Sequence, residues 1–188
     1  SHVYTVKYFN KNYMIYLILV IFIFSTGKYH IRFNHNKKFM ELVDVDFNLA
    51  IDAKKIDKRL AGLKWISSSY ADEPLNEINL LIDTKNILSQ VGERKIIITN
   101  YQFFSSILEN RFASPNKWYD HLSVPKKKNK FYYEYKSFFI SKIRNNKIRY
   151  IYAIGKNKEI FILELFDDSD CIVSKKLNEL LIEFEIKK

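Results

Sequence analysis

The sequence predicts an α/β protein: an N-terminal transmembrane helix followed by a small parallel-sheet, Rossmann-like, three-layer domain. Three observations lead there. The stretch "NYMIYLILVIFIFSTG" (12–27) carries no charge, and Met14 to Phe24 is almost purely aliphatic and aromatic. Two β-branched runs, "KIIIT" (95–99) and "IRYIYAIG" (148–155), are of the kind buried on both faces of a parallel sheet. Around them, apolar residues recur at helical spacing between turn signals. The predicted layout is a juxtamembrane segment over 1–12, a transmembrane helix and its exit over 13–33, and a soluble α/β domain over 34–188.

Counted from Tyr8, the apolar stretch runs for about 20 residues interrupted only by Lys11, and at 1.5 Å per residue spans about 30 Å, the hydrocarbon thickness of a bilayer. Lys11 lies near its end, where an ammonium can snorkel to the interface, and Tyr8, Tyr13 and Tyr29 fall where an aromatic belt forms. A secretory signal, with Ser25 and Gly27 near a cleavage point, and a buried core helix are the competing readings. A run apolar on every face favours the bilayer. A chain beginning at Ser1 reads as a fragment or a processed form. Lys28, Arg32, Lys37 and Lys38 after the span outnumber Lys7 and Lys11 before it, which favours a cytoplasmic C-terminal side.

Leu49, Ala53, Ile56, Leu60 and Leu63 fall on one stripe, predicting an amphipathic helix that ends near Gly62. "LKWIS" (63–67) predicts a first strand. Asp72 as N-cap, Pro74 in the first turn, the apolar positions Leu75, Ile78, Leu81, Ile82, Leu88 and Val91, and Gly92 as stop predict a helix. "KIIIT" is the second strand, and "YQFFSSILEN" (101–110) opens a short helix. The loop "ASPNKWYDHLSVP" (113–125) follows. Tyr132, Tyr135, Phe139 and Ile143 align on a helix over 131–143, "IRYIYAIG" is the third strand, and "KEIFILELF" is helical. The tail "LNELLIEFEI" fits either a helix or an edge strand, since both periodicities are present. Strands alternating with helices imply right-handed crossovers and a parallel sheet.

Composition narrows the functional classes. At 188 residues, 47% apolar and 16% aromatic, the chain has ample core material. A net charge of +10 invites an anionic partner, but 25 lysines against 6 arginines, with the arginines scattered, argue against nucleic acid. The lysine run "KKKNK" (126–130) reads as a solvated loop. Cys171 is the lone cysteine, which precludes an intrachain disulfide. His30 and His35 bring no third ligand, so no metal is expected, and phosphate-loop, dinucleotide, serine-hydrolase and zincin motifs are absent. No cofactor is implied.

In open α/β sheets ligands bind beyond the carboxyl ends of the strands. Those ends carry "SSSY" (67–70), "NYQ" (100–102) and "GKNK" (155–158), with the 113–125 loop able to fold over the same edge. The binding candidates are therefore Ser67, Asn100, Tyr101, Gln102, Asn116, Trp118, Asp120, His121 and Lys156. Asp120 beside His121 has the types of an acid–base couple, but neighbours in an extended loop point apart, and turn-capping is the favoured role. Trp118 suits stacking on a sugar, or pinning the loop to its domain. "GKNK" offers N–H groups and lysines at a helix start, as an anion site does, without the phosphate-loop spacing.

The hydrophobic span followed by "KFMELVDVDFNLAIDAKKIDKRLAGLKWIS", "ITNYQFF" and "SPNKWYDHLSVP" resembles the C-terminal region of large bacterial polytopic membrane proteins of the membrane-embedded glycosyltransferase type, which use polyprenyl-phosphate sugar donors. The resemblance implies that the catalytic carboxylate belongs to an early extracytoplasmic loop with no counterpart in this chain, so no catalytic residue is assigned. It also implies a domain on the extracytoplasmic side of the cell membrane, against the charge count. The expected role is recognition of a saccharide or polyprenyl-phosphate sugar, with membrane lipid as the other partner. The alternative is a non-catalytic binding or interaction module tethered by a single helix.

Overall fold

The computed structural model describes residues 11–32, 42–92, 94–108, 114–120, 123–166 and 171–187. The chain divides into two compact units, 1–45 and 46–188. In the first, helix α1 (Lys11–His30) carries the uncharged run. Its residues 13–30 are long and apolar enough to cross a membrane, and none of that surface is buried within the chain. Length and composition are also what a secretion signal would show.

The second unit opens with short turns where the sequence predicted one helix. Three 3-10 turns, Phe47–Leu49, Ala53–Lys55 and Lys58–Leu60, follow one another. The cause is local chemistry. Asp46, Asp52 and Asp57 each accept a bond from the backbone N–H two residues on, at 2.9, 2.9 and 3.0 Å. Each such cap begins a new turn and interrupts the previous one. Apolar spacing alone could not reveal this. The predicted strand 63–67 also changes identity. Strand β2 (Lys64–Trp65) pairs antiparallel with β1 (Ile51–Asp52) as a separate two-stranded ribbon, outside the main sheet.

Helix α2 (Pro74–Gln90) starts two residues after the predicted cap, with Glu73 in the cap position and Pro74 in its first turn. Strand β3 (Lys95–Thr99) is buried along its whole length, as a β-branched run flanked by helices should be. The short helix α3 (Phe104–Ile107) follows, then α4 (Tyr132–Asn145), β4 (Tyr150–Ile154) and α5 (Lys158–Leu165). β3 and β4 pair in parallel, Ile97 opposite Tyr152.

The sheet is mixed, not the small parallel sheet the sequence predicted. Its order is β3-β4-β6-β5, and both β6 (Leu181–Ile186) and β5 (Ile172–Lys176) pair antiparallel to their neighbours. The ambiguous tail is thus an interior strand. It returns through a tight hairpin closed by Leu177 N–H to Leu181 C=O at 2.9 Å, a connection that needs no crossover helix. The Asn178 side chain accepts from the N–H groups of Leu180 and Leu181, at 2.8 and 2.7 Å. Its amide donates to Asp83 and to buried Thr84 on α2, which fixes the hairpin to that helix.

Alternation divides the core between the two sheet faces. Ile97, Tyr152, Ile154 and Leu181 share one apolar cluster with Ile78, Leu81 and Leu88 of α2 and with Ala53, Ile56 and Leu60 of the turns. Ile96, Ile98, Ile151, Ala153 and Phe184 share the other with α4 (Phe139, Ile143) and α5 (Ile162, Leu165). The carboxyl ends of β3 and β4 are followed by Tyr101 and Gln102 and by Lys156, three of the candidate residues.

Candidate binding site at the carboxyl edge of β3 and β4

Beyond Thr99 the chain turns sharply. The Thr99 hydroxyl accepts from Tyr101 N–H at 3.0 Å, and the Gln102 side-chain amide donates to the carbonyls of Thr99 and Lys117. Gln102 therefore ties the loop at 117 to the strand end. Ser114 completes the attachment: its hydroxyl accepts from Ile97 N–H at 3.1 Å and donates to Ile97 C=O at 2.7 Å. A single side chain thus occupies both main-chain polar groups of Ile97 on the edge of β3, where a further strand would otherwise pair.

Asn116 organises the loop itself. Its amide donates to Ser123 C=O, its carbonyl accepts from the Tyr135 hydroxyl at 2.9 Å, and its N–H donates to the Tyr119 hydroxyl at 3.3 Å. Tyr119 is only 6% exposed and packs on Phe161 of α5, so Tyr119 is the aromatic that pins the loop. Its hydroxyl is pushed up to about 12 by burial, against the hydrogen bonds from Asn116 and Ser114. Trp118, the expected contact, is 46% exposed.

Two cavities adjoin this loop, and Tyr119 lines both. The first, about 740 Å³, takes Thr99, Tyr101, Gln102 and Phe104 from the strand end and α3. Ser105, Ser106, Ser114 and Asn116 add hydroxyl and amide groups. Among the described residues Lys117 is the one charged side chain in its lining. The second, about 790 Å³, lies toward α5 and is lined by Asp120, the lysines 126–128, and the turn Lys156–Lys158.

The structure therefore brings Tyr101, Gln102 and Asn116 to one cavity and Asp120 and Lys156 to the next. Asn100 is exposed and lines neither. Ser67 also lies apart from both, and its hydroxyl is buried without a hydrogen-bond partner among the described residues. Asp120 accepts from Ser123 N–H at 2.8 Å, the turn-capping role. His121 lies outside the described residues, and so does any geometry for an Asp120–His121 couple. Sequence reading missed Thr99, Ser105, Ser106 and Ser114, single hydroxyls with no motif around them. The lysines at 126–128 are exposed in a loop, as the sequence predicted, and adjoin the turn after β4.

Behind the cavities lies Glu77 of α2, fully buried. Its carboxylate accepts from Trp65 Nε1 and from the Tyr101 hydroxyl, both at 2.9 Å. Burial first, then the Glu77 charge, raises the Tyr101 pKa well above that of an ordinary phenol, so Tyr101 is a hydrogen-bond donor, not an acid. The Tyr101 ring also sits 3.5 Å from where a side chain on Gly155 would begin. That distance is an ordinary contact, and it is the φ of +105° that requires glycine in the turn after β4.

Among the described residues no group of three or more His, Cys, Asp or Glu side chains could hold a metal ion. Comparison with protein-family models, curated proteins and solved structures finds no match to the chain.

Proposed function

We propose that the chain is a membrane-anchored α/β domain of a glycosyltransferase-like membrane protein, and that its globular unit recognises a saccharide without supplying catalytic residues. The observation that carries the reading is the first cavity. Its volume suits a small ligand, and its lining combines hydroxyl and amide groups with the side chains of Tyr101 and Tyr119. Neutral polyhydroxylated ligands are bound in this way, through many uncharged hydrogen bonds and an aromatic platform. The apolar helix α1 supports the anchoring, and the sequence resemblance supports the class and an extracytoplasmic side.

Ligand-observed NMR on the full chain in neutral detergent, with a panel of neutral glycosides, tests the reading. At least one glycoside should bind. Ser106→Trp, which projects a large ring into the cavity from an exposed position, should weaken that binding at least about tenfold, about 1.4 kcal/mol. No binding across the panel, or binding indifferent to the tryptophan, would leave the alternative, a tethered interaction module. The exposed apolar side chains Tyr133, Phe138, Ile160 and Leu163 on α4 and α5 favour that second reading.

A further inference from the structure

The lysines at 126–128 and those at 156 and 158 lie about thirty positions apart in sequence, yet they line one cavity of about 790 Å³. Among the described residues the carboxylates in the lining are Asp120 and Glu164, and Asp120 accepts the Ser123 N–H. Lys126 and Lys128 make no ion pair among the described residues. We propose that this cavity is an anion site for a phosphate group.

Three features support that chemistry. Lysines reach the lining from two sides, the loop before α4 and the turn between β4 and α5, with the Lys156 ammonium resting over the Tyr70 ring at 5.4 Å, so an anion between the two sides would draw on charge from both. Lys158 is held in place by donating to Tyr119 C=O at 2.6 Å. Its burial lowers its pKa against the pull of Asp120, so the site holds an incompletely neutralised ammonium that an anion would stabilise. The turn itself is shaped for close approach. Asn157 adopts a left-handed conformation, φ 61°, immediately before α5, whose first-turn N–H groups lack intrahelical acceptors. Several ammonium point charges around one cavity suit a multiply charged tetrahedral group better than a single carboxylate.

The inference does not rest on the saccharide reading, because none of its charged residues lines the first cavity. A phosphate ester in solution and a phospholipid headgroup offer the same chemistry, so the test has two arms. The full chain in neutral detergent is titrated with inorganic phosphate and glycerol 3-phosphate by calorimetry. In parallel, the full chain in neutral-lipid nanodiscs is mixed with vesicles containing phosphatidic acid. Saturable binding in either arm is expected. The triple variant Lys126→Ala, Lys128→Ala, Lys156→Ala should weaken it at least about tenfold, as about two- to fivefold per exposed lysine accumulates. The matching triple arginine variant should stay within about threefold of the wild type. Binding in the vesicle arm alone assigns the phosphate to a lipid. Absence of saturable binding in both arms, equal displacement by chloride, or equal affinity in the alanine variant would overturn the proposal. Thermal unfolding of each variant and neutral-glycoside binding serve as controls, and loss of the latter alone bears on the first cavity only.

Discussion

The two faces of the sheet are held by different means. On the α2 face, buried polar groups connect the elements. Asp57 pairs with Arg59 and with Lys85 of α2 at 2.9 Å each, Glu77 joins Trp65 to Tyr101, and Asn178 ties the hairpin to Thr84. Buried Lys95 donates to the last carbonyls of α2, Leu88 and Val91, and so caps that helix from inside the core. On the α4–α5 face, contact is mainly aromatic and aliphatic: Phe139 and Phe161 meet edge to face, and Tyr135 packs on both. Directional bonds hold one arrangement, whereas apolar contacts tolerate repacking if volume is kept. The loop around Asn116 packs on the second kind of surface through Tyr119, which meets Phe161.

The sharpest way to break this contrast is on volume. Phe139 is fully buried in the α4–α5 face, and Phe139→Ala should cost about 3–5 kcal/mol. Phe139→Leu, which keeps much of the volume, should cost far less. Urea unfolding monitored by tyrosine and tryptophan emission measures both. If the leucine variant lost as much as the alanine one, that face would be as exacting as its opposite.

On the α2 face a change that keeps shape but alters hydrogen bonding should be costly instead. Glu77→Gln replaces one acceptor oxygen with a donor, which leaves Trp65 Nε1 or the Tyr101 hydroxyl facing an N–H. The expected loss is about 1–3 kcal/mol for a buried group left unsatisfied. An unfolding curve superimposable on the wild type would show that these bonds add nothing.

Asp57 extends the contrast to pH. Its carboxyl is held well below the usual carboxylate range by hydrogen bonds from the Arg59 side chain and backbone and from Lys85. A folded-state pKa below the unfolded one means the unfolded chain binds the proton more readily. The stabilisation is therefore fully present above about pH 4, the unfolded value, and lost as pH falls toward the folded pKa. Asp57→Asn should be less stable than wild type at pH 7, and the gap should narrow on acidification below pH 4. A gap independent of pH would remove charge from the account of this face.

The same distinction explains what could be read in advance. β3, β4, α2 and α4 were legible because each carries a strong local signal, a continuous β-branched run for the strands and apolar residues at helical spacing for the helices. Tyr132, Phe139 and Ile143 are buried as their spacing predicted. The turns over 47–60 were not, because three aspartate caps act locally against an apolar stripe of helical spacing. β5 went unread because an outer strand with four exposed residues in five looks like a loop. The tail carries both a helical and an alternating pattern, so its antiparallel pairing with β4 and β5 was not legible and the sheet seemed parallel. For the site, topology was enough to collect Tyr101, Gln102 and Asn116. It did not rank Tyr119 above Trp118, because the side each residue presents depends on the hydrogen bonds of Asn116.

That last pair gives the smallest effects and the finest test of the comparison. Tyr119→Phe keeps the ring against Phe161 and removes only the hydroxyl that meets Asn116 N–H and the Ser114 side chain, so about 1 kcal/mol is expected. Trp118→Ala removes a larger side chain, yet one that is 46% exposed and absent from the lining of both cavities. It should change stability by less than about 0.5 kcal/mol and leave glycoside affinity within about twofold, less than about 0.5 kcal/mol. Adjacent aromatics in one loop would then differ through orientation alone, one facing the core and the other facing water. If Trp118→Ala instead abolished glycoside binding without touching stability, the loop would have to move its tryptophan onto the bound ligand. The recognition surface would then include the outer side of the loop, and Tyr119 would serve as the fixed point about which that side turns.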